Sequence, residues 1–198
     1  MNKYFSNKKI AVIAIMSAIA GFLMIIDFPL TFIAPSFYKL DLSDLPCLIV
    51  SFSLGPIAGT LTELLKILIK LLLKPTSTAF IGELSNFLCG ISMIVPAGLI
   101  YKNKHSKEGA TFALVISSLI FVVISFLINY FVTIPFYVSL YHMPLDSLLE
   151  LGKQIFPIIN SKFMFVLLCV SIFNALKAIL TSLFTYFLYK RVSPIIKK

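Results

Sequence analysis

The stretch FMFVLLCVSIFNALKAILTSLFTYFL, Phe163 to Leu188, decides the fold. It is apolar almost throughout, and about 20 such residues suffice for a helix to cross a bilayer. Yet Asn174 and Lys177 sit in its interior. A lysine at the centre of a spanning helix costs about 2.5–3.5 kcal/mol on insertion scales, so such residues face a cavity or a partner rather than lipid. The default reading is a polar binding site inside a membrane protein. Asn129, in another apolar run, repeats the pattern, and the three together describe a pocket for a polar ligand.

The rest of the chain agrees with a membrane setting. Of 198 residues 59% are hydrophobic and only 13% charged, with a mean hydropathy of +1.00. A soluble domain of this make-up would expose too much apolar surface to stay monomeric. There is no GxxxxGK[ST] phosphate loop, so active movement of a solute would draw its energy from another subunit or an ion gradient. The net charge of +9 does not point to nucleic acid. Its carriers, Lys3, Lys8 and Lys9, then Lys102, Lys104 and Lys107, then Lys190, Arg191, Lys197 and Lys198, mark the ends of apolar segments. They read as positive-inside signals beside anionic headgroups of the membrane lipid. Cys47, Cys89 and Cys169 lie in apolar runs without metal-ligand spacing and read as buried thiols. His105 and His142 have no partner at ligand spacing. No metal, cofactor or nucleophile–base set is expected. The run Ile10–Ile26 has no small-residue cleavage motif and reads as a retained helix.

Five apolar blocks are visible: 8–30, 44–74, 79–101, 110–141 and 161–190. If each crossed once, the N-terminal lysines and the 102–107 loop would lie on opposite sides, against the usual sharing of the cytoplasmic side by Lys-rich loops. Block 44–74 supplies the missing crossing. Gly55-Pro56 sits inside it, and proline fits the start of a new helix while glycine permits a sharp turn. The expectation is an all-α integral membrane protein with one domain, 1–198. Its six transmembrane helices run at 8–30, 44–54, 56–74, 79–101, 110–141 and 161–190, with both termini cytoplasmic. Lys66 then lies deep in the third helix, three residues after Glu63 on the same face, where the two pair. Lys70 and Lys74 snorkel outward.

The segment TFIAPSFYKLDLS, 31–43, falls on the outer side between the first two helices. It reads either as a lid folding over the pocket or as a plain connector. The stretch 142–160 is a second outer segment, part amphipathic helix. On the first helix Ala11, Ala14, Ala18 and Gly21 form one stripe of small residues, which lets another helix approach closely. Packing within the chain and docking of another protein are both open on this evidence.

Several stretches in order and spacing carry a resemblance: APSFYKLDLSDLP (34–46), FSLGPIAG (52–59), IGELSNFLCG (81–90), NYFVTIPFY (129–137), FNALK (173–177) and LYKRVSP (188–194). The chain resembles the riboflavin-specific S components of energy-coupling factor (ECF) vitamin transporters. The FNxxK and NYxxxxP elements are the more specific parts. The resemblance implies a six-helix protein, not an enzyme, that captures riboflavin from outside and works with a transmembrane coupling subunit and two cytoplasmic ATPases. It implies that the first-helix stripe, Ala14 and Ala18 with Ala11 and Gly21, meets the coupling subunit. It carries ligand roles onto Asn129, Asn174 and Lys177. A flavin also needs apolar walls, for which Phe37, Tyr38 and Leu40 on the first outer loop and Asn86 and Phe87 on the fourth helix are candidates. Asn86 is equally suited to a hydrogen bond between helices, and a structural partner is the lesser alternative for Lys177. Asp41 and Asp44 read as shaping the loop and capping the second helix. The segment KPTSTAFIGE (74–83) departs from the glycine-richer turn of the family, which implies a different local backbone.

Overall fold

The computed structural model describes residues 6–140 and 144–197, and Lys3, His142 and Lys198 lie outside them. Helix α1 is Asn7–Ile25, capped by the Ser6 hydroxyl, which accepts from Lys9 N. It stops five residues short of the expected end because Pro29 lies just beyond, and the chain turns into a two-residue strand instead. That strand, β1 (Phe28–Pro29), pairs antiparallel with β2 (Lys39–Leu40), Phe28 opposite Leu40. The all-α expectation is amended by this small clasp, which ties the two ends of the first outer segment together.

Helices α2 (Asp44–Leu54) and α3 (Pro56–Leu73) meet at Gly55, whose φ of +98° lies where only glycine is unstrained. Pro56 opens α3 at a position where its missing N–H is no loss. Helix α4 is Ile81–Asn103. Helix α5, Lys107–Leu140, contains a π-helical turn at Asn129–Thr133. Helix α6 is Leu145–Lys153, and α7, Lys162–Pro194 and onward to Lys197, contains a second π turn at Val166–Val170. There are thus seven helices among the described residues. Four of them, α1, α4, α5 and α7, are long and apolar enough to cross a membrane.

The two exceptions among the expected crossings have physical causes. Helix α2, with 11 residues, is about 16 Å long against a hydrocarbon core of about 30 Å. The path before it is irregular but buried: Leu40, Asp41, Ser43 and Asp44 are all shielded by protein. Irregular backbone at membrane depth is tolerated only in that way. Helix α3 is long enough, but Glu63, Lys66 and Lys70 lie within it, and they too are covered by neighbours rather than by lipid.

Packing is inside-out relative to a soluble bundle. Large apolar side chains such as Ile15, Phe22, Leu72, Phe112, Leu119, Phe131 and Phe187 face outward, while polar groups are buried. Ser17 Oγ reaches Thr62 O at 3.4 Å, and Gly21 lies against Ile69, so α1 and α3 run parallel. Tyr101 stacks on Phe52 at 4.3 Å and meets Tyr189 edge-on at 5.7 Å, which gathers the ends of α2, α4 and α7. The start of α1, the Gly55 turn, the 103–107 link and the end of α7 therefore share one end of the bundle, the end rich in Lys and Arg. At the other end Leu148 and Leu149 of α6 cover a second core with Leu40, Ile134, Phe165, Val166 and Phe173.

Candidate functional site

A cavity of about 370 Å³ opens at the end opposite the basic one, between the β1–β2 clasp and helices α3, α4, α5 and α7. That volume is within the range of small-molecule sites, about 300–1,000 Å³. Asn129, Asn174 and Lys177 all line it, all nearly fully buried. Both π turns stand beside these residues, Ile134 N donating to Asn129 O and Ser171 N to Val166 O. Such turns add a residue to one helical repeat and gather at functional sites because they re-aim the side chains beyond them. Thr133, at the end of the first, also faces the cavity and is tied to α4 by its Oγ1–Ser85 Oγ contact at 2.8 Å.

The hydrogen bonds already made define what remains for a ligand. Asn129 Nδ2 donates to Ser125 O at 2.8 Å, and its Oδ1 accepts from the Tyr38 hydroxyl at 2.9 Å. Asn174 Nδ2 donates to Val170 O at 3.0 Å, which turns its Oδ1 away from the backbone. Each asparagine thus commits one amide proton to its own helix and keeps a second N–H and acceptor capacity on Oδ1. Lys177 donates to Asp41 Oδ2 at 3.1 Å and lies 3.3 Å from Asp44 Oδ2, leaving the third proton of its ammonium. The cavity therefore suits a ligand with N–H or O–H donors for the asparagines and an oxygen or nitrogen acceptor for the lysine.

Lys177 belongs to a buried charge network. Asp44 Oδ1 binds Lys66 Nζ at 2.6 Å, and Lys66 also lies 2.5 Å from Glu63 Oε1 and donates to Asn86 Oδ1 at 3.1 Å. Glu63 is thus one of three partners of Lys66. Asp41 shapes its loop by accepting from Ser43 N at 2.8 Å and from Ser43 Oγ. Asp44 makes no cap hydrogen bond, contrary to expectation; it stands inside α2 and serves two lysines. A buried ammonium needs such partners, because desolvation alone would cost several kcal/mol. Gly90 admits the network, since a Cβ there would collide with the Glu63 carboxylate.

The remaining candidates divide. Phe37 and Tyr38 line the cavity, with Tyr137 6.4 Å from Phe37 and Phe173 5.8 Å from Tyr38 between ring centres. Asn86 lines it too, while also bridging α3 and α4 through Lys66. Leu40 and Phe87 do not. Successive residues of a strand point to opposite sides, so Lys39 faces the cavity and Leu40 the core beneath. Asn86 and Phe87 are neighbours on a helix, about 100° apart, and only one meets the cavity. Lys70 and Lys74 do not simply snorkel. They pair at the cavity wall with Glu83 at 2.5 Å and Asp27 at 3.1 Å. The sequence carried a signal for this: Lys66, Lys70 and Lys74 recur every four residues, one stripe of a helix that lipid would not tolerate. Thr78 and Glu83, also lining the cavity, had no such signal.

The 74–83 segment is held by hydroxyls. Ala79 and Phe80 adopt φ of 46° and 68°, a left-handed region uncommon for residues with a Cβ. Thr76 Oγ1 accepts from Phe80 N at 3.2 Å, Thr78 Oγ1 accepts from Gly82 N at 3.1 Å, and both hydroxyls donate to Glu83 Oε2 at 2.9 Å. These bonds hold the strained turn against the cavity.

On α1 the small-residue stripe splits. Ala11, Ala14 and Ala18 face outward, flanked by exposed Ile15 and Ile19. Gly21 is buried against α3, where an added Cβ would lie 2.6 Å from Ile69 Cγ2. At about 100° per residue Gly21 stands about 60° round from Ala18, toward the inward face of Ile13 and Ser17. Gly21 is therefore removed from the candidate docking surface.

Residues 8–189 match the family model for the ECF transporter, substrate-specific component, and the chain belongs to that family. It is a multi-pass membrane protein and a substrate-capturing component, not an enzyme. The chain is 32% identical over 97% of its length, and 94% of the other's, to the riboflavin transporter RibU of Staphylococcus aureus strain TCH60. It is 28% identical over 69% of its length, and 72% of the other's, to the riboflavin transporter FmnP of Bacillus subtilis strain 168. A solved structure of the S component of a bacterial ECF transporter superposes with a TM-score of 0.75 at 32% identity, covering 97% of this chain and 99% of that one.

Proposed function

We propose that this chain is the high-affinity riboflavin-binding subunit of an ECF-type vitamin uptake transporter, working with a transmembrane coupling subunit and two cytoplasmic ATPases. The observation that carries the reading is the cavity itself, where buried Asn129, Asn174 and Lys177 converge among Phe37, Tyr38, Tyr137 and Phe173. Isoalloxazine presents an imide N–H between two carbonyls, and the ribityl chain carries hydroxyls. These are the donors that the two asparagine acceptors need and the acceptors that Lys177 needs. Both named relatives are riboflavin transporters, which supports the same vitamin.

In this reading six passages cross the membrane, with α6 lying at the outer surface. The basic end faces the cytoplasm and anionic lipid, following the positive-inside rule, so the cavity opens outward. The 31–43 segment serves as its lid, supported by Phe37, Tyr38 and Lys39 in the cavity wall. Ala11, Ala14 and Ala18 form the docking surface for the coupling subunit. The test is the visible absorption of detergent-purified protein, followed by titration with quenching of flavin fluorescence. A near 1:1 bound flavin is the expected result, and absence of riboflavin binding by the folded protein overturns the assignment of the vitamin.

A further inference from the structure

We infer that Tyr38 is a placeholder: its hydroxyl occupies, in the ligand-free protein, the acceptor on Asn129 that a donor group of the ligand takes on binding. The inference rests on the proposed function. Each polar side-chain atom of Asn129 makes one hydrogen bond, Nδ2 to Ser125 O at 2.8 Å and Oδ1 from the Tyr38 hydroxyl at 2.9 Å. The first bond is internal to α5 and stays with the helix. The second spans 91 residues and joins the first outer segment to the cavity wall. Oδ1 has two lone pairs, and a ligand donor that approaches the one the hydroxyl occupies displaces it.

Tyr38 is placed to yield. It lies next to β2 in a segment held at its ends by the β1–β2 clasp, and its own backbone is tied to Pro35 O at 2.9 Å. Its ring keeps apolar neighbours, Phe37 at 4.8 Å and Phe173 at 5.8 Å, that do not depend on the hydroxyl. The ring therefore walls the cavity whether or not the hydroxyl bonds Asn129. The placeholder avoids leaving a nearly buried carbonyl oxygen without a donor in the empty site, a cost that such a group otherwise carries. The consequence for selection is that a ligand bringing a donor to Asn129 Oδ1 replaces what it displaces. An apolar edge there loses the bond without recovering it.

The test compares wild type with Tyr38→Phe, which keeps the ring and removes the hydroxyl. Stopped-flow quenching of riboflavin fluorescence gives association and dissociation rates. A placeholder predicts tighter binding, up to about tenfold, the worth of one neutral hydrogen bond no longer broken. The gain is expected in the association rate, with dissociation unchanged, because the bond exists only in the free protein. Weaker binding with faster dissociation makes the hydroxyl a direct ligand contact and overturns the inference, as does an unchanged association rate. Loss of the folded state is read from size-exclusion elution. In that case replacement of Tyr38 by 3-fluorotyrosine decides instead: its more acidic hydroxyl is the stronger donor and leaves the Asn129–Ser125 bond intact, so the placeholder predicts slower association, and faster or unchanged association overturns it. A wild type that binds no riboflavin refutes the proposed function and leaves a distinct signature, since both variants are then silent.

Discussion

Lys177→Met is the most discriminating substitution, because it separates two roles that Lys177 plays at once. The ammonium faces the cavity and also neutralises Asp41 at 3.1 Å and Asp44 at 3.3 Å. Removing one partner of a buried pair costs about 3–5 kcal/mol, since a charge is left without compensation. Here the lower end applies: Asp44 keeps Lys66 at 2.6 Å, and Asp41 keeps the Ser43 amide at 2.8 Å. A loss of about 3 kcal/mol in a chain of this size lowers the melting temperature by about 6–12 °C. Ligand binding loses a charged donor besides, about 1.5–3 kcal/mol or one to two decades in dissociation constant. The double variant Lys177→Met, Asp41→Asn removes one ammonium and one carboxylate together, so the network of three carboxylates and two ammoniums keeps the same formal net charge. Its melting temperature is expected to recover most of the loss, while riboflavin affinity stays low. Thermal unfolding in detergent and flavin-quenching titration measure the two quantities separately. Wild-type stability of Lys177→Met, or recovery of affinity in the double variant, would refute the reasoning.

Asn174→Leu removes the Oδ1 acceptor and the Nδ2 bond to Val170 O without touching the charge network, and is expected to weaken riboflavin binding by about 1–3 kcal/mol with a smaller effect on melting temperature than Lys177→Met. Ala14→Trp and Ala18→Trp are expected to abolish vitamin uptake by cells carrying the coupling module while leaving affinity intact; loss of affinity would place the stripe inside the chain's own fold. Gly21→Leu, in contrast, is expected to destabilise the purified protein, because its Cβ meets Ile69. With Cys47, Cys89 and Cys169 replaced by alanine, Asn103→Cys is expected to resist an impermeant thiol reagent in intact cells and Thr76→Cys to react, and labelling of position 103 would reverse the proposed orientation.

Much of the architecture was legible because bilayers impose a simple code. Apolar length marks helices, Lys-rich links mark one side, and Gly55-Pro56 marks a turn that only these residue types make without cost. The π turns were not legible, since nothing in NYFVT or VLLCV distinguishes them from an ordinary helical turn. Their existence depends on how α5 and α7 pack around the cavity. The clasp of Phe28–Pro29 with Lys39–Leu40 was hidden for a related reason: strands of two residues carry no period to read.

For the site, the cost of placing Asn129, Asn174 and Lys177 in apolar runs was enough to single them out, whatever surrounds them. Helical phase alone also put Glu63 and Lys66 together, three residues apart on one helix. The partners of these groups were a different matter. Asp44 meets Lys66 across 22 residues, and Asp41 meets Lys177 across 136. The same limit hid that Gly21 packs against α3 and that Leu40 and Phe87 lie outside the cavity lining. Periodicity specifies which side chains share a face within an element. Which faces oppose each other is decided by the packing of the whole bundle, where every buried charge must find its counterion at once.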